Sequence, residues 1–349
     1  MEGNNNGPRR AATVKDVARA AGVSIASVSR VINGTGPVAQ ATRRRVTDAI
    51  ARLHYVPHQG AASLVTRRHG VVGLLLPELH AGMYAKLIRG IEDAARRHGR
   101  HLLVCNLTGD AARDAATLTT LTGRVDGLLL MAPHRHEEAL AELLPGDVPA
   151  VLLNTRADSG RNVLTVDNYG AVMEVMRHLK RCGRRVVAHI AGPAGNHDAE
   201  ERVRAWRDAL ATYWPGTEAP FFRGDFEQES GRAAGQAFAA SPEPPDAIFA
   251  ANDLMAAGAM RALADAGLAV PEDVAVVGFD DVPLASLLSP ALTTVHVDVE
   301  SFGRCALERL LRLTGEPALA QERCEPVPST LVVRESCGSA AAPARARRA

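Results

Sequence analysis

The chain has 349 residues, 46% of them hydrophobic and 23% charged, with a net charge of +1. That composition excludes a wholly disordered chain and implies roughly two domains at about 150 residues each; no run of about 18 apolar residues offers a membrane span. The charge is uneven: residues 1–70 hold 11 Lys and Arg against 3 Asp and Glu, and residues 71–349 hold 29 against 36. A basic head on an acidic body suits contact with a polyanion, although a solvated basic surface accounts for it as well.

Met1 to Ala12 are polar and basic with no apolar core. They do not read as a secretory signal, and residues 1–11 are expected to be a disordered arm. Residues 12–57 read as three helices. Thr13-Val14-Lys15-Asp16 is a capping-box pattern, in which each of the two side chains satisfies a backbone N–H. Val14, Val17, Ala18 and Ala21 follow at helical spacing, and Gly22 ends the element. Ser24 suits the cap of a second helix. There Val28, Val31 and Ile32 share one face, while Ile25, Ala26, Ser29 and Arg30 lie elsewhere around it. The third helix opens near Arg43-Arg44-Arg45 and presents Val46, Ala49, Ile50 and Leu53 on one side.

Two short helices joined by a tight Gly-containing turn form a helix-turn-helix pattern. The second helix of such a pair enters the major groove with its N-terminal residues at the base edges. Arg30 suits guanine O6 and N7, a pairing worth about 1–3 kcal/mol of discrimination. Ile25 and Ala26 suit thymine methyls. A three-helix bundle with no nucleic acid shares the same helical pattern.

Residues 58–69 form a linker. From residue 71 short apolar runs alternate with helical stretches. The expected strands are 71–77, 101–106, 125–132, 149–154, 163–167, 186–192, 221–224, 247–251 and 274–278, with amphipathic helices such as 84–98, 172–181 and 254–266 between them. Near-continuous Val, Leu and Ile runs imply parallel strands buried on both faces. Their number suits two similar lobes around a cleft, with ligands outside the strands' C-terminal ends. In the second lobe those ends carry Asn252-Asp253, Phe279-Asp280-Asp281 and Gly192-Pro193, the last followed by Asn196, His197, Asp198 and Arg202. Asn, Asp and Arg together can hydrogen-bond neighbouring hydroxyls of a polyol, and Phe226 can stack on a ring face. Each also has a plain structural role open to it: Asn252 or Asp253 as a helix cap, Arg202 as a solvated helix residue. Residues 338–349, rich in Ala, Pro and Arg, are expected to be a disordered tail.

The stretch from Thr13 to Asn33, and again Ala49 to Pro57, closely resembles the head of the LacI/GalR family of bacterial transcriptional regulators. The resemblance implies an N-terminal all-α helix-turn-helix head, a hinge helix and a two-lobed α/β effector domain of the type I periplasmic-binding-protein fold. It also implies binding of double-stranded DNA by Thr13, Ser24, Ile25, Ala26, Ser27, Ser29, Arg30, Asn33 and Tyr55. Leu64 falls on the position that the family inserts into the minor groove, where unstacking one step kinks the duplex. Two departures touch the hinge: Ala62 stands where an Arg is common, and Gly60 costs about 1 kcal/mol relative to Ala within a helix. A third is Ala39, where the family often caps its third helix with Ser. In the body the resemblance assigns effector contacts to Tyr84, Arg202, Phe226, Asn252, Asp253 and Asp280, with Asp167 near another pocket position. Asn196 and Asp198 occupy positions that vary with effector and are candidates for specificity.

Catalysis is not expected. The chain lacks G-x-S-x-G, G-x-x-x-x-G-K-[ST] and H-E-x-x-H, and no G-x-G-x-x-G follows the first body strand. Adjacent Asp280 and Asp281 should point apart. No cofactor or metal is implied. Cys105, Cys182, Cys305, Cys324 and Cys337 are scattered, with no C-x-x-C pair. They fit neither a disulfide framework nor a zinc site, and reduced thiols in the cytoplasm are expected. The resemblance to the LacI/GalR family therefore implies a dimeric repressor on a pseudo-palindromic operator, controlled by a small molecule. It also favours carbohydrate over a purine or another metabolite. A sugar-binding transport component shares the body fold but not the basic head. No apolar heptads follow residue 337, so a dimer is expected rather than a coiled-coil tetramer.

Overall fold

A computed structural model describes residues 12–33, 36–55, 69–77, 82–135, 140, 144, 148–155, 162–315 and 329–338. The chain divides into two compact units, one up to His69 and one from Gly70.

The first unit holds α1 (Val14–Ala21), α2 (Ile25–Asn33) and α3 (Gln40–Leu53). The capping box at the start of α1 is complete: the Thr13 N–H donates to Asp16 Oδ2 at 3.0 Å, and the Asp16 N–H donates to Thr13 Oγ1 at 3.4 Å. Gly22, at φ 62°, ends α1 in the left-handed region open to glycine. Ser24 Oγ accepts from the Ser27 N–H at 3.2 Å and so caps α2. Ala39 precedes α3 and makes no side-chain cap bond. Val17, Ala18, Ala21, Val28, Val46 and Ala49 form the core, with Val14, Val31, Ile32, Ile50 and Leu53 packed around it. Burying one such aliphatic side chain contributes about 1.5–3 kcal/mol, so a head this small rests on a handful of contacts. The proposed hinge, including Gly60, Ala62 and Leu64, lies outside the described residues.

The second unit contains two parallel sheets. Lobe 1 carries β1 (Val71–Leu76), β2 (His101–Asn106), β3 (Gly127–Met131), β4 (Ala150–Leu153) and β5 (Val163–Leu164), in the order β2-β1-β3-β4-β5. Helices α4 (Gly82–Arg97) and α5 (Ala111–Leu121) belong to it. Helix α6 (Asn168–Arg181) then leads to lobe 2. There β6 (Val187–Ala191), β7 (Phe221–Arg223), β8 (Ala247–Ala250) and β9 (Ala275–Val277) pair in the order β7-β6-β8-β9. Between and after these strands come α7 (His197–Tyr213), α8 (Gln228–Ala239), α9 (Asp253–Asp265) and α10 (Pro283–Leu287). Then follow β10 (Thr294–Val297), α11 (Val299–Leu313) and β11 (Ser329–Val332).

The observed strands sit within the expected ranges: β2 matches its range, and the others are shorter at one or both ends, as at 163–167, where pairing stops after Leu164. The β10–β11 pair was not anticipated. It is antiparallel, and its two short strands lie more than thirty residues apart, so no local pattern announces the pairing. Single bridges from Val277 to Thr293 and from Asp280 to His296 continue the lobe 2 sheet toward β10. One hydrophobic cluster runs from Leu74 and Leu129 of lobe 1 through Val172 and Met176 of α6 to Phe249 and Val277 of lobe 2. The expectation of uniformly reduced thiols does not hold: Cys105, Cys182 and Cys337 are thiols, whereas Cys305 is disulfide-bonded.

Candidate functional site

In both sheets the strand order reverses beside the first strand of the lobe, at β1/β3 and at β6/β8. Loops leaving such strands diverge and open a crevice at their C-terminal ends. A cavity of about 400 Å³ occupies that place in the second unit. Lobe 1 supplies Pro77, Thr108, His134 and Asn154, each just after a strand, together with Tyr84 from α4. Lobe 2 supplies Pro193, Asn196, Asp198, Arg202, Phe226, Asn252, Asp253 and Asp280. Eight of the nine body positions singled out from the sequence therefore line one cavity, and Asp167 is not among the lining residues. Its Oδ1 accepts from the Gly170 N–H at 2.8 Å and caps α6. Its neighbour Asn168, which the sequence reading passed over, faces the polar network instead.

Arg202 centres that network. It is 6% exposed, so its charge depends on fixed partners. Nε donates to Asn168 Oδ1 at 2.8 Å, and Nη1 donates to the Ala251 carbonyl. Nη2 lies 3.9 Å from Asp280 Oδ1, and the guanidinium sits 3.7 Å over the Phe279 ring. Asn168 in turn donates from Nδ2 to Asp198 Oδ1 at 2.8 Å. Asp198 and Asp280 thus flank one guanidinium through different routes. Burial raises the pKa of both, and Arg202 opposes the rise; Asp280 is pushed up to about 6.

Asp253 and Asn252 have structural duties. Asp253 accepts from Thr294 Oγ1 at 2.5 Å and from the Val282 N–H at 2.8 Å. Burial and the nearby Asp280 charge push its pKa up to about 7, against the pull of those two donors. Asn252 accepts from the Met255 N–H at 2.9 Å, capping α9, and donates to the Phe226 carbonyl at 2.8 Å. That last bond holds Phe226 in place at φ 74°, a backbone conformation unusual for a bulky residue. Gly192 completes the arrangement, because a Cβ there would collide with the Phe226 ring. Asn196 Oδ1 accepts from the Ala199 N–H at 3.1 Å and caps α7. The structural role and the lining role coincide in these residues: the caps are what aim the walls.

On the lobe 1 side Arg135 and Asp114 fasten the rim. Arg135 Nη2 donates to Asp114 Oδ2 at 2.9 Å and to the Gly109 carbonyl at 3.0 Å. Asp114 Oδ1 accepts from the Thr108 N–H at 2.8 Å. Sequence reasoning missed Thr108, Asp114, His134, Arg135 and Asn154. The available signal was position, since all but Asp114 follow a strand end. A backbone bond crosses between the lobes, from the His197 N–H to the Pro133 carbonyl at 2.8 Å.

In the head, Ile25 is 46% exposed, and Ala26 and Arg30 are exposed beside it. Ser24 is also exposed, and Ser27 and Ser29 are half-buried. Thr13 is committed to Asp16, to which its hydroxyl donates at 2.7 Å. Tyr55 packs half-buried against the head core, and Asn33 closes α2.

Comparison with known proteins matches residues 13–58 to the bacterial regulatory proteins of the lacI family and residues 176–337 to a periplasmic binding protein-like domain. The ribose operon repressor of Escherichia coli strain K12 is 36% identical over 325 residues, covering 91% of this chain and 97% of that protein. The HTH-type transcriptional repressor PurR of Edwardsiella ictaluri is 36% identical over 317 residues, covering 89% and 93%. Among solved structures, the lac repressor dimer bound to operator and the anti-inducer ONPF superposes with a TM-score of 0.84 at 28% identity, covering 94% of this chain and 99% of that one.

Proposed function

This chain belongs to the lacI family of bacterial regulatory proteins, and from that premise we propose that it represses transcription as a cytoplasmic homodimer whose operator binding answers to a sugar held in the lobe cavity. As a member of that family it is a DNA-binding repressor with a small-molecule effector. Two heads related by a two-fold axis suit a pseudo-palindromic site. The exposed Ile25, Ala26 and Arg30 of α2 supply the reading face.

The observation that carries the sugar reading is the pairing of carboxylates around Arg202. Asp198, joined to Arg202 through Asn168, and Asp280, 3.9 Å from the guanidinium, both offer acceptor oxygens to the cavity. A polyol presents many hydroxyl donors to such acceptors and accepts from the guanidinium, with the Phe226 ring available to cover an apolar sugar face. A purine presents fewer N–H donors, but an aromatic ring suits it equally and the PurR relative is as similar as the ribose one. It stands as the second reading. Effector and operator then affect each other reciprocally, with a coupling typically about 1–3 kcal/mol.

Calorimetric titration with pentoses, hexoses and purine bases, run with and without operator DNA, tests the proposal. The expected result is one sugar class that binds and shifts operator affinity. Arg202→Ala and Asp280→Ala should abolish the response and leave DNA binding intact. Normal response in both variants would place the effector elsewhere, and binding of purines alone would select the second reading.

A further inference from the structure

At the end of α6 opposite Asn168, three soft donor atoms converge. His178 and Cys182 stand one turn apart, and Cys337 enters from the short helix Glu335–Cys337. His178 Nε2 lies 3.2 Å from Cys337 Sγ and 3.5 Å from Cys182 Sγ. All three donor atoms fall within 4.8 Å of one another. Cys337 and His178 are buried, and Cys182 is half-buried, leaving an approach from solvent. No other group of three His, Cys, Asp or Glu side chains among the described residues meets so closely.

The distances from His178 Nε2 to the two sulfurs, 3.2 and 3.5 Å, are close to those of a tetrahedral coordination shell. An ion holding nitrogen at about 2.0–2.1 Å and sulfur at about 2.3 Å in tetrahedral geometry separates N from S by about 3.5 Å and S from S by about 3.8 Å. Without an ion the cluster is held by hydrogen bonds: the Cys337 thiol also donates to the Arg334 carbonyl at 3.7 Å. A cation on the imidazole lone pair draws both sulfurs to one centre. We propose that His178, Cys182 and Cys337 bind one thiophilic d10 cation of the Zn²⁺ class, with a fourth position open beside Cys182. Each thiol gives its proton to solvent on binding, so a divalent ion, two thiolates and a neutral imidazole make an uncharged centre. Arg184 donates to the Cys337 carbonyl at 3.5 Å and places a positive charge beside the thiolates. The ion ties the end of α6 to residues 335–337, while the opposite end of α6 carries Asn168 into the Arg202 network. The cysteine spacing in the sequence argued against zinc because the third ligand is 155 residues away from the second.

The test uses the untagged full-length protein, stripped with chelator and kept in a non-thiol reductant. Titration with Co²⁺ should give one ion per chain, with thiolate charge-transfer and tetrahedral bands that Zn²⁺ displaces. Zn²⁺ binding should release two protons. Cys182→Ser, at a half-buried position, should weaken Co²⁺ binding at least about tenfold, since even outer-shell changes cost that much. Cys105→Ser should bind as the parent does. Should Cys337→Ser fail to fold, the Cys182→Ser and His178→Gln variants carry the decision. Absence of the charge-transfer band, or equal affinity in Cys182→Ser, overturns the site.

Discussion

Arg202 is buried with Asp280 at 3.9 Å and Asn168 at 2.8 Å, and Asp280 has its pKa pushed up to about 6. A sugar hydroxyl donates best to the ionised carboxylate. At pH 7.5 nearly all of Asp280 is charged, and at pH 5 only about one molecule in eleven is, so affinity should fall about tenfold over that range. Titrations at the two pH values check this, and Asp280→Asn, which keeps the side chain's shape without its titration, should flatten the profile. An unchanged affinity in the parent would remove Asp280 from the contact set. In the head, Arg30→Ala should cost about 1–3 kcal/mol at one base position of each half-site and little elsewhere. Binding to a panel of single-base operator variants reads that loss. Asp280 was legible because it follows a strand end and Arg30 because it sits on the second helix of the helix-turn-helix, whereas Arg202 lies within α7 and was singled out with the family resemblance. The lobe 1 set was passed over because its polar residues are interrupted by Pro and Leu and carry no motif of their own. Asp167 was expected near the pocket; its carboxylate caps α6, and the neighbouring amide of Asn168 turns to Arg202.

At the scale of elements, helix starts and the cavity share the same side chains. Asn252, Asn196 and Asp253 stand at the N-terminal ends of α9 and α7; the caps made by Asn252 and Asn196, and the bonds of Asp253 to Thr294 and Val282, direct the walls. Local chemistry therefore made these starts readable, as it did the Thr13–Asp16 box. Thr13→Ala should destabilise the head by about 1 kcal/mol, seen as a lowered unfolding midpoint of the first transition. Gly192→Ala should push Phe226 from its position and weaken effector binding with little loss of DNA binding. The antiparallel β10–β11 pair escaped the sequence reading because its register joins Thr294–Val297 to Ser329–Val332 across α11. The hinge departures at Gly60 and Ala62 remain a sequence-level proposal, with Leu64 as the wedge. Leu64→Ala should weaken operator binding far more than nonspecific binding, and equal losses would argue against a wedge.

For the whole molecule, the parallel sheets and their two-lobed arrangement follow from continuous apolar strands joined by amphipathic helices, and both features were readable from residue pattern alone. The His197–Pro133 bond joins the two lobes, and Asn168 at the start of α6 is linked to Asp198 and Arg202 at the cavity. Sedimentation of the purified protein should show a dimer. The central claim is sequence-specific recognition by the head, and selection of bound sites from random duplex DNA with the full-length protein, at moderate salt, tests it most directly. The account predicts a recovered palindrome with two matched half-sites and a sharply preferred central step. Selection that yields no enriched sequence, both alone and with a pool of sugars and purines added, would contradict it.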